Sequence, residues 1–355
     1  MIRRLHLEGP QGESTVIEAD EPAALMIRRV EFDTLLVSLA VEAGAELVTG
    51  VDVVQARMEH GRVMLDARDG RRFSADTIVA ADGVHSVVAR RLGLNPGWPA
   101  TSVALDMMEE TPRSMLRDLD PSTLWVSYGF QPASASEGRA PREASKGYAY
   151  IFPKRDHVNV GIGYVLSYFR DAVDTAPYDL QRGLVDRLRA RGIIVGESVR
   201  QNFTPFLIPV GGPLREPGRG RVLLAGDAGG FVNAFTAEGI YYAMVSGDLA
   251  ARAIVHAPPG DARLADRYRR TVNDEIGPEL RDAVLIQRYL FADDRRIARA
   301  IRGAPHARAI TRLIADFVVG HRSYRAVRRG ILARSPWLAG RMILEYLQCR
   351  LQIAD

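Results

Sequence analysis

The chain has 355 residues, 47% of them apolar, and a formal net charge of +4. That is length and apolar content enough for two domains with sizeable cores. A lone cysteine, Cys349, excludes an internal disulfide, and no Cys/His spacing points to zinc. No stretch reaches the roughly 18 to 20 apolar residues that span a bilayer. The basic start, Met1 to Leu5, has no long apolar run behind it and does not read as a signal peptide. The expectation is a cytoplasmic protein of a reducing compartment, or one held at a membrane only by its surface.

In chain order, residues 1–17 alternate around Gly9-Pro10 as a short hairpin. Arg28 to Ala43 reads as a helix, with Phe32, Leu35, Leu36 and Leu39 at helical spacing and Gly44 past its end. Glu46-Leu47-Val48 and Val51 to Val54 read as strands. A hairpin follows, with turns at His60-Gly61 and Asp69-Gly70. Thr77 to Ala81 is expected as a buried strand ending at Asp82-Gly83, ahead of a helix over Ser86 to Leu92 with Ser86 suited to cap it.

From about Ser102 short strands dominate: Val103 to Met107, Leu124 to Tyr128, Gly147 to Phe152 and Val158 to Tyr164. The Ala/Ser/Pro/Gly-rich segment from Gln131 to Lys146 reads as a loop. A helix is expected near Tyr178 to Arg191, then an extended stretch to Pro213. The strand Arg221 to Ala225 leads into Gly226-Asp227, and a long helix runs from about Glu238 to His256. The remainder is helical, and its charge is lopsided. From Arg288 to Asp355 there are 14 arginines against 5 acidic residues, a net +9 that leaves −5 elsewhere. Apolar residues such as Phe317, Ile331 and Trp337 are interleaved with these arginines. That pattern fits amphipathic helices, touching anionic lipid or simply meeting water, and does not fit a nucleic-acid surface.

Three segments carry chemistry. In the first, the strand Val79-Ala80-Ala81 delivers Asp82-Gly83. On its own this is a strand–turn–helix junction. In the second, Val222-Leu223-Leu224-Ala225 delivers Gly226-Asp227-Ala228-Gly229-Gly230, with Glu238-Gly239-Ile240 opening the helix. Small residues let backbone approach a ligand, a carboxylate at a strand end accepts bonds from sugar or ribityl hydroxyls, and a helix N-terminus favours negative charge. The third is Tyr148-Ala149-Tyr150-Ile151-Phe152-Pro153, followed by Asn159-Val160-Gly161-Ile162-Gly163. Strand alternation puts Tyr148, Tyr150 and Phe152 on one face, as a pocket wall or as ordinary sheet core.

In this order the three segments resemble the geranylgeranyl reductase family, within the wider group of aromatic-hydroxylase-like flavoproteins. The resemblance implies FAD as cofactor. It maps Asp82-Gly83 on the family's DG motif, Gly226-Asp227-Ala228 on its GD motif, and Gly239-Ile240 on the helix that approaches the flavin ring. Arg29, in Arg29-Val30-Glu31-Phe32-Asp33, corresponds to an arginine that reaches FAD. The substrate-pocket signature corresponds to Tyr148, Tyr150, Phe152 and Pro153. Two departures stand out. Ala234 and Ala237 replace a Pro and a Gly common in the family beside the flavin edge, and Tyr150 stands where the family often has Trp.

The resemblance implies an α/β chain, α+β overall. The expected parts are an incomplete Rossmann-like FAD-binding domain in residues 1–98 and 213–256, an inserted antiparallel substrate domain in 99–212, and a helical region in 257–355. The GxGxxG turn that holds a pyrophosphate is not found, since Gly161-x-Gly163 lacks the third glycine and falls in the substrate domain. The expectation is therefore a chain that begins inside the flavin domain, with an unpaired sheet edge and weak FAD binding. The implied activity is reduction of C=C bonds in a prenyl chain of a lipid-like molecule, with the electron donor, NAD(P)H or ferredoxin, left open. No catalytic residue and no metal site is assigned, with Tyr148 and Tyr150 the only candidate proton donors. Two alternatives stay open: a flavin monooxygenase or hydroxylase, and a truncated non-catalytic homologue that binds lipid through its basic helices.

Overall fold

A computed structural model describes residues 1–18, 22, 24–130, 144–258, 260–304, 306, 324–334 and 340. The expected loop from Gln131 to Lys146 lies mostly outside them, as does most of the basic tail beyond Gly303. In chain order the strands and helices are β1 (Arg4–Glu8), β2 (Ser14–Glu18), α1 (Arg29–Glu42), β3 (Val53–Glu59), β4 (Arg62–Ala67), β5 (Arg72–Ala75), β6 (Ile78–Ala80) and α2 (Val87–Arg91). Then come β7 (Val103–Pro112), β8 (Leu116–Asp118), β9 (Thr123–Tyr128), β10 (Gly147–Pro153), β11 (His157–Val165), α3 (Leu166–Ala172), α4 (Pro177–Ala190), β12 (Ile194–Gly196) and β13 (Phe203–Pro209). The last are β14 (Gly218–Arg219), β15 (Val222–Leu224), α5 (Ile240–Val255), α6 (Leu264–Glu275), α7 (Gly277–Leu290), α8 (Asp294–Gly303) and α9 (Tyr324–Arg334).

The chain divides into two units. The first comprises Met1–Glu31, Ala104–Phe206 and Leu285–Asp355. Its frame is a seven-stranded sheet in the order β13-β7-β11-β10-β9-β1-β2. Neighbours β7, β11, β10 and β9 are antiparallel, and β1 joins β9 in parallel, with Arg4 opposite Thr123. On one face of these strands alternate residues are mostly buried: Met107, Ala149, Ile151, Val160 and Ile162 form one core with Leu180, Leu184 and Leu188 of α4, and Leu105 packs against it partly buried. α4 places those leucines on one side because they recur at three- and four-residue spacing, and Pro177 at its first turn fixes its start.

The second unit comprises Phe32–Val103 and Leu207–Val284. It holds the three-stranded meander β3-β4-β5 and a small sheet in the order β14-β15-β6, with β6 and β15 parallel. The β3–β4 hairpin turns at His60-Gly61, as its sequence predicts, and both residues take positive φ, 48° and 76°. Tyr268 of α6 is fully buried and donates a 2.7 Å hydrogen bond to the Leu224 carbonyl, locking α6 against β15.

Three expectations need correction. Glu46-Leu47-Val48 is not a strand. Leu47 and Val48 are exposed and no strand pairs with them among the described residues. Apolar side chains alone do not hold a strand whose backbone groups lack partners. The segment Thr77 to Ala81 forms β6, but it is an edge strand, so Val79 is 38% exposed and only Ala80 is buried. Finally, the N-terminal hairpin belongs to the large sheet, and α6 with most of α7 belongs to the second unit, so the four-part division drawn from sequence does not follow these groupings. α1 also buries none of its residues, despite its helical apolar spacing.

Candidate flavin site and the open face of the large sheet

In the second unit, the two aspartate motifs meet through strand pairing. Leu224 of β15 lies opposite Ala80 of β6, and the Ala225 N–H donates to the Ala80 carbonyl at 2.9 Å. The chain therefore leaves both strands side by side, toward Asp82 on one and Asp227 on the other. Ligands of open α/β sheets collect at such carboxyl ends of parallel strands.

At the end of β15 the backbone turns tightly. Gly226 takes φ 56°, Gly226–Gly229 forms a single 3₁₀ turn, and Gly230 closes it at φ 72°. The Gly226 N–H donates to the buried Ser246 hydroxyl of α5 at 2.9 Å, and a Cβ on Gly226 would come within 3.3 Å of Ala243. A larger residue at 226 would thus be both strained and crowded. Ala228 is buried, whereas Asp227 is half-buried in the turn. Gly239 precedes Ile240, the first residue of α5, and a Cβ there would sit 3.4 Å from Asp227 Oδ1. Glu238 accepts the Tyr241 N–H at 2.8 Å, so part of the positive end of α5 is already matched by a carboxylate. Burial pushes the Glu238 carboxyl up, and the backbone bond opposes this. Ala237 takes φ 55° in this loop, so the left-handed turn is kept here without glycine, at a cost of about 1 kcal/mol.

At the end of β6, Gly83 takes φ 76° in open space. Ser86 caps α2 by accepting the Ala89 N–H at 2.9 Å, as its position predicts. Asp82 is exposed and accepts the Val88 N–H at 3.1 Å, so it too caps this helix. Arg29 is the exposed first residue of α1 and belongs to the first unit.

The aromatic signature lies on β10. The second face of the large sheet carries Tyr148, Tyr150 and Phe152, with ring centroids 6.2 Å and 4.2 Å apart in succession. Tyr128, opposite Tyr148 in register, adds a fourth ring at 5.6 Å. Pro153 points to the closed face and is buried. Gly161 and Gly163 of β11 lie opposite Tyr150 and Tyr148, and a Cβ on Gly161 would strike the Tyr150 hydroxyl at 2.4 Å. The glycines therefore form a floor over which the Tyr150 ring lies flat.

That ring reaches a residue the sequence reading passed over. The Tyr150 hydroxyl donates to both carboxylate oxygens of Asp106 on β7, at 3.0 and 3.2 Å. Desolvation pushes Asp106 up to about 7, against the lowering effect of the Tyr150 bond. Farther along the same face Glu110 pairs with Lys154 and, at 2.7 Å, with Arg28, and these partners hold its carboxyl below the usual range despite desolvation. Only the register of β7 against β11 and β10 brings Asp106 and Tyr150 together, because 43 residues separate them in the chain. The one local signal was a carboxylate inside the apolar run Val103 to Met108.

Comparison with known proteins agrees with this geometry. Residues 3–158 match the family model described as FAD binding domain. Protein FixC of Escherichia coli (strain K12) is 30% identical over 287 residues, which cover 76% of this chain and 63% of FixC. The chain thus spans just under two thirds of the length of those curated relatives. A digeranylgeranylglycerophospholipid reductase of Methanocella arvoryzae is 28% identical over 79% of this chain and 68% of its own length. In fold, a geranylgeranyl bacteriochlorophyll reductase-like protein of Thermoplasma acidophilum superposes with a TM-score of 0.71 at 17% identity, covering 97% of this chain and 82% of that one. Residues 3–158 thus match an FAD-binding domain. Over most of its length the chain is similar in sequence to a digeranylgeranylglycerophospholipid reductase, and it shares its fold with a geranylgeranyl bacteriochlorophyll reductase-like protein.

The residues present fit FAD on structural grounds. Close backbone approach at Gly226, an aspartate at each of two adjacent parallel strand ends, and a helix start without a side-chain cap from residue 239 suit a polyhydroxylated, electron-rich ligand.

Proposed function

We propose that this protein reduces isolated C=C bonds in a prenyl chain carried by a lipid-like molecule. The observation that carries the reading is the apolar strip of Tyr128, Tyr148, Tyr150 and Phe152 on the face of the large sheet left uncovered by α3 and α4. A prenyl chain has no hydrogen-bonding groups, and a row of rings offers it dispersion contacts and shelter from water. The names of the Methanocella and Thermoplasma relatives support the same substrate class. In the site, Asp227, Asp82 and the Gly226 turn hold the cofactor from the strand ends, and Arg29 is assigned to it by resemblance. FAD, when bound and reduced, supplies a hydride. The protein's part is to orient the alkene, exclude water and keep the tyrosines neutral. Burial raises Tyr148 and Tyr150 well above the ordinary tyrosine range, so they serve as walls and hydrogen-bond donors.

The test is product analysis. The FAD-loaded protein, chemically reduced and kept free of oxygen, is given a digeranylgeranyl lipid, and the products are weighed by mass spectrometry. The reading expects a gain of two hydrogens per double bond. A hydroxylated product that forms only with oxygen would establish the monooxygenase reading instead.

Membrane contact is part of the same proposal and takes an electrostatic form. No described helix is long and apolar enough to cross a membrane. In α8, Ile297, Ala298 and Ile301 are buried in the protein, which leaves Arg295, Arg299 and Arg302 outward. A helix whose apolar side is already used attracts anionic headgroups without inserting. Binding to phosphatidylserine vesicles is expected at low salt and lost at moderate salt. Salt-resistant binding would argue for apolar insertion.

A further inference from the structure

On the strength of the reductase reading, we propose that Asp106 is the acid that supplies the proton for alkene reduction, and that Tyr150 is its positioning residue. Geometry is the main support. Asp106 projects from β7 onto the same face as the aromatic strip and is partly accessible, whereas Tyr150 beneath it is 7% exposed. In register, Asp106 lies opposite Gly163 and Gly163 lies opposite Tyr148, so the position between carboxyl and ring carries no side chain. A Cβ at 163 would come 3.4 Å from Asp106 Oδ1. The glycine thus puts no side chain beside the carboxyl, on the side from which an alkene would approach it.

Among the described strands of the sheet, few ionisable groups share this face with Asp106. On β7, Glu110 shares the face but is neutralised by Lys154 and Arg28. On β10 and β9 the groups are Tyr148, Tyr150 and Tyr128, all raised by burial and all neutral. β11 presents Asn159, Gly161 and Gly163, and β13, on the far side of β7, has no ionisable residue. No cation among the described residues pairs with Asp106, whose one hydrogen-bond partner is the Tyr150 hydroxyl. Its carboxyl, raised to about 7, is protonated in a useful fraction at neutral pH.

The step balances. The Asp106 O–H bond breaks and a C–H bond forms at one alkene carbon. The other carbon takes a hydride, with its electron pair, from the reduced flavin, which is oxidised. The carboxylate left behind accepts the Tyr150 hydroxyl and regains its proton from solvent.

Two measurements on the FAD-loaded protein test this. The first does not depend on turnover. Geranylgeraniol is titrated calorimetrically at pH 7 in buffers of different ionisation enthalpy. An apolar chain laid over Asp106 favours its neutral form, so the wild type takes up about half a proton per chain and Asp106→Asn takes up none. Uptake that is absent in the wild type, or unchanged in the variant, overturns the proposal. The second is single-turnover reduction of a digeranylgeranyl lipid. The wild-type rate is expected to fall as pH rises through about 7. Asp106→Asn is expected to lose about a hundredfold or more, and Tyr150→Phe to shift the fall to higher pH, because removing a donor to the carboxylate raises its pKa. If the wild type reduces the lipid and Asp106→Asn does so equally well, the proposal fails and the reductase reading stands. If the wild type forms no saturated product at any pH, the reductase reading fails, and the proposal with it.

Discussion

The two faces of the large sheet are made by the same strands and differ in what covers them. On the face under α3 and α4, Met107, Val160, Ile162 and Leu184 are all fully buried. The carboxylate on that side, Glu109, is buried too, but it accepts hydrogen bonds from Thr111 at 3.2 Å and Ser198 at 2.6 Å. On the other face, three residues away on the same strand, Asp106 has only a tyrosine hydroxyl. Glu110, next in sequence to Glu109, is ion-paired on that open face. One strand thus carries a structurally satisfied carboxylate, a salt-bridged one and a nearly solitary one. Environment, not residue type, separates their roles.

Substitution should reveal the same division, beginning with the largest effect. Leu184→Ala on the closed face should cost about 3 kcal/mol in chemical denaturation, since it opens a cavity in a dry core. Tyr148→Ala on the open face should cost far less stability and instead weaken prenyl binding. Comparable stability losses for the two would mean that both faces are structural core. Ser246→Ala should cost about 1 to 3 kcal/mol by leaving the buried Gly226 N–H without its acceptor, and should weaken FAD binding with it. A variant with unchanged stability and FAD affinity would show that Ser246 does not hold the turn.

Smaller effects come from titration and backbone strain. Folded Asp106 holds its proton more tightly than the unfolded chain does. Its stabilising contribution is full below about pH 4 and is lost as pH rises through about 7. Denaturation midpoints should fall over that window, and Asp106→Asn should flatten the slope. Glu109, raised by desolvation on the other face, adds a slope of the same sign, so the variant should not abolish it. A wild-type slope that the variant leaves unchanged would contradict the environment assigned to Asp106. Ala237→Gly, relieving a residue at φ 55°, should gain about 0.5 to 1 kcal/mol. A destabilised variant would show that the loop is not strained.

Local pattern was enough to read much of this molecule. Alternation gave β7, β9, β10 and β11, helical spacing gave α1, α4 and α5, and Ser86 announced the cap of α2. What local pattern could not show was long-range pairing. The parallel match of Arg4 with Thr123, which moves the N-terminal hairpin into the large sheet, leaves no trace in either segment alone. The same holds for Asp106: its neighbours in sequence are apolar, and its meaning comes from the register that sets Gly163 and Tyr150 beside it. The departure at Ala237 was legible as a change of residue, but not its outcome, because the hydrogen bond from its N–H to the Asn233 carbonyl helps hold the left-handed turn. Leu47 and Val48 look like strand residues until the absence of a pairing strand among the described residues is known.

The most direct test of the account asks where a prenyl chain rests. A geranylgeranyl probe bearing a photoreactive diazirine would be bound, irradiated and mapped by peptide mass spectrometry. Labelling at Tyr128, Tyr148 and Phe152, displaced by unlabelled geranylgeraniol, is the predicted result. Displaceable labelling confined to other surfaces, with none on this strip, would contradict it.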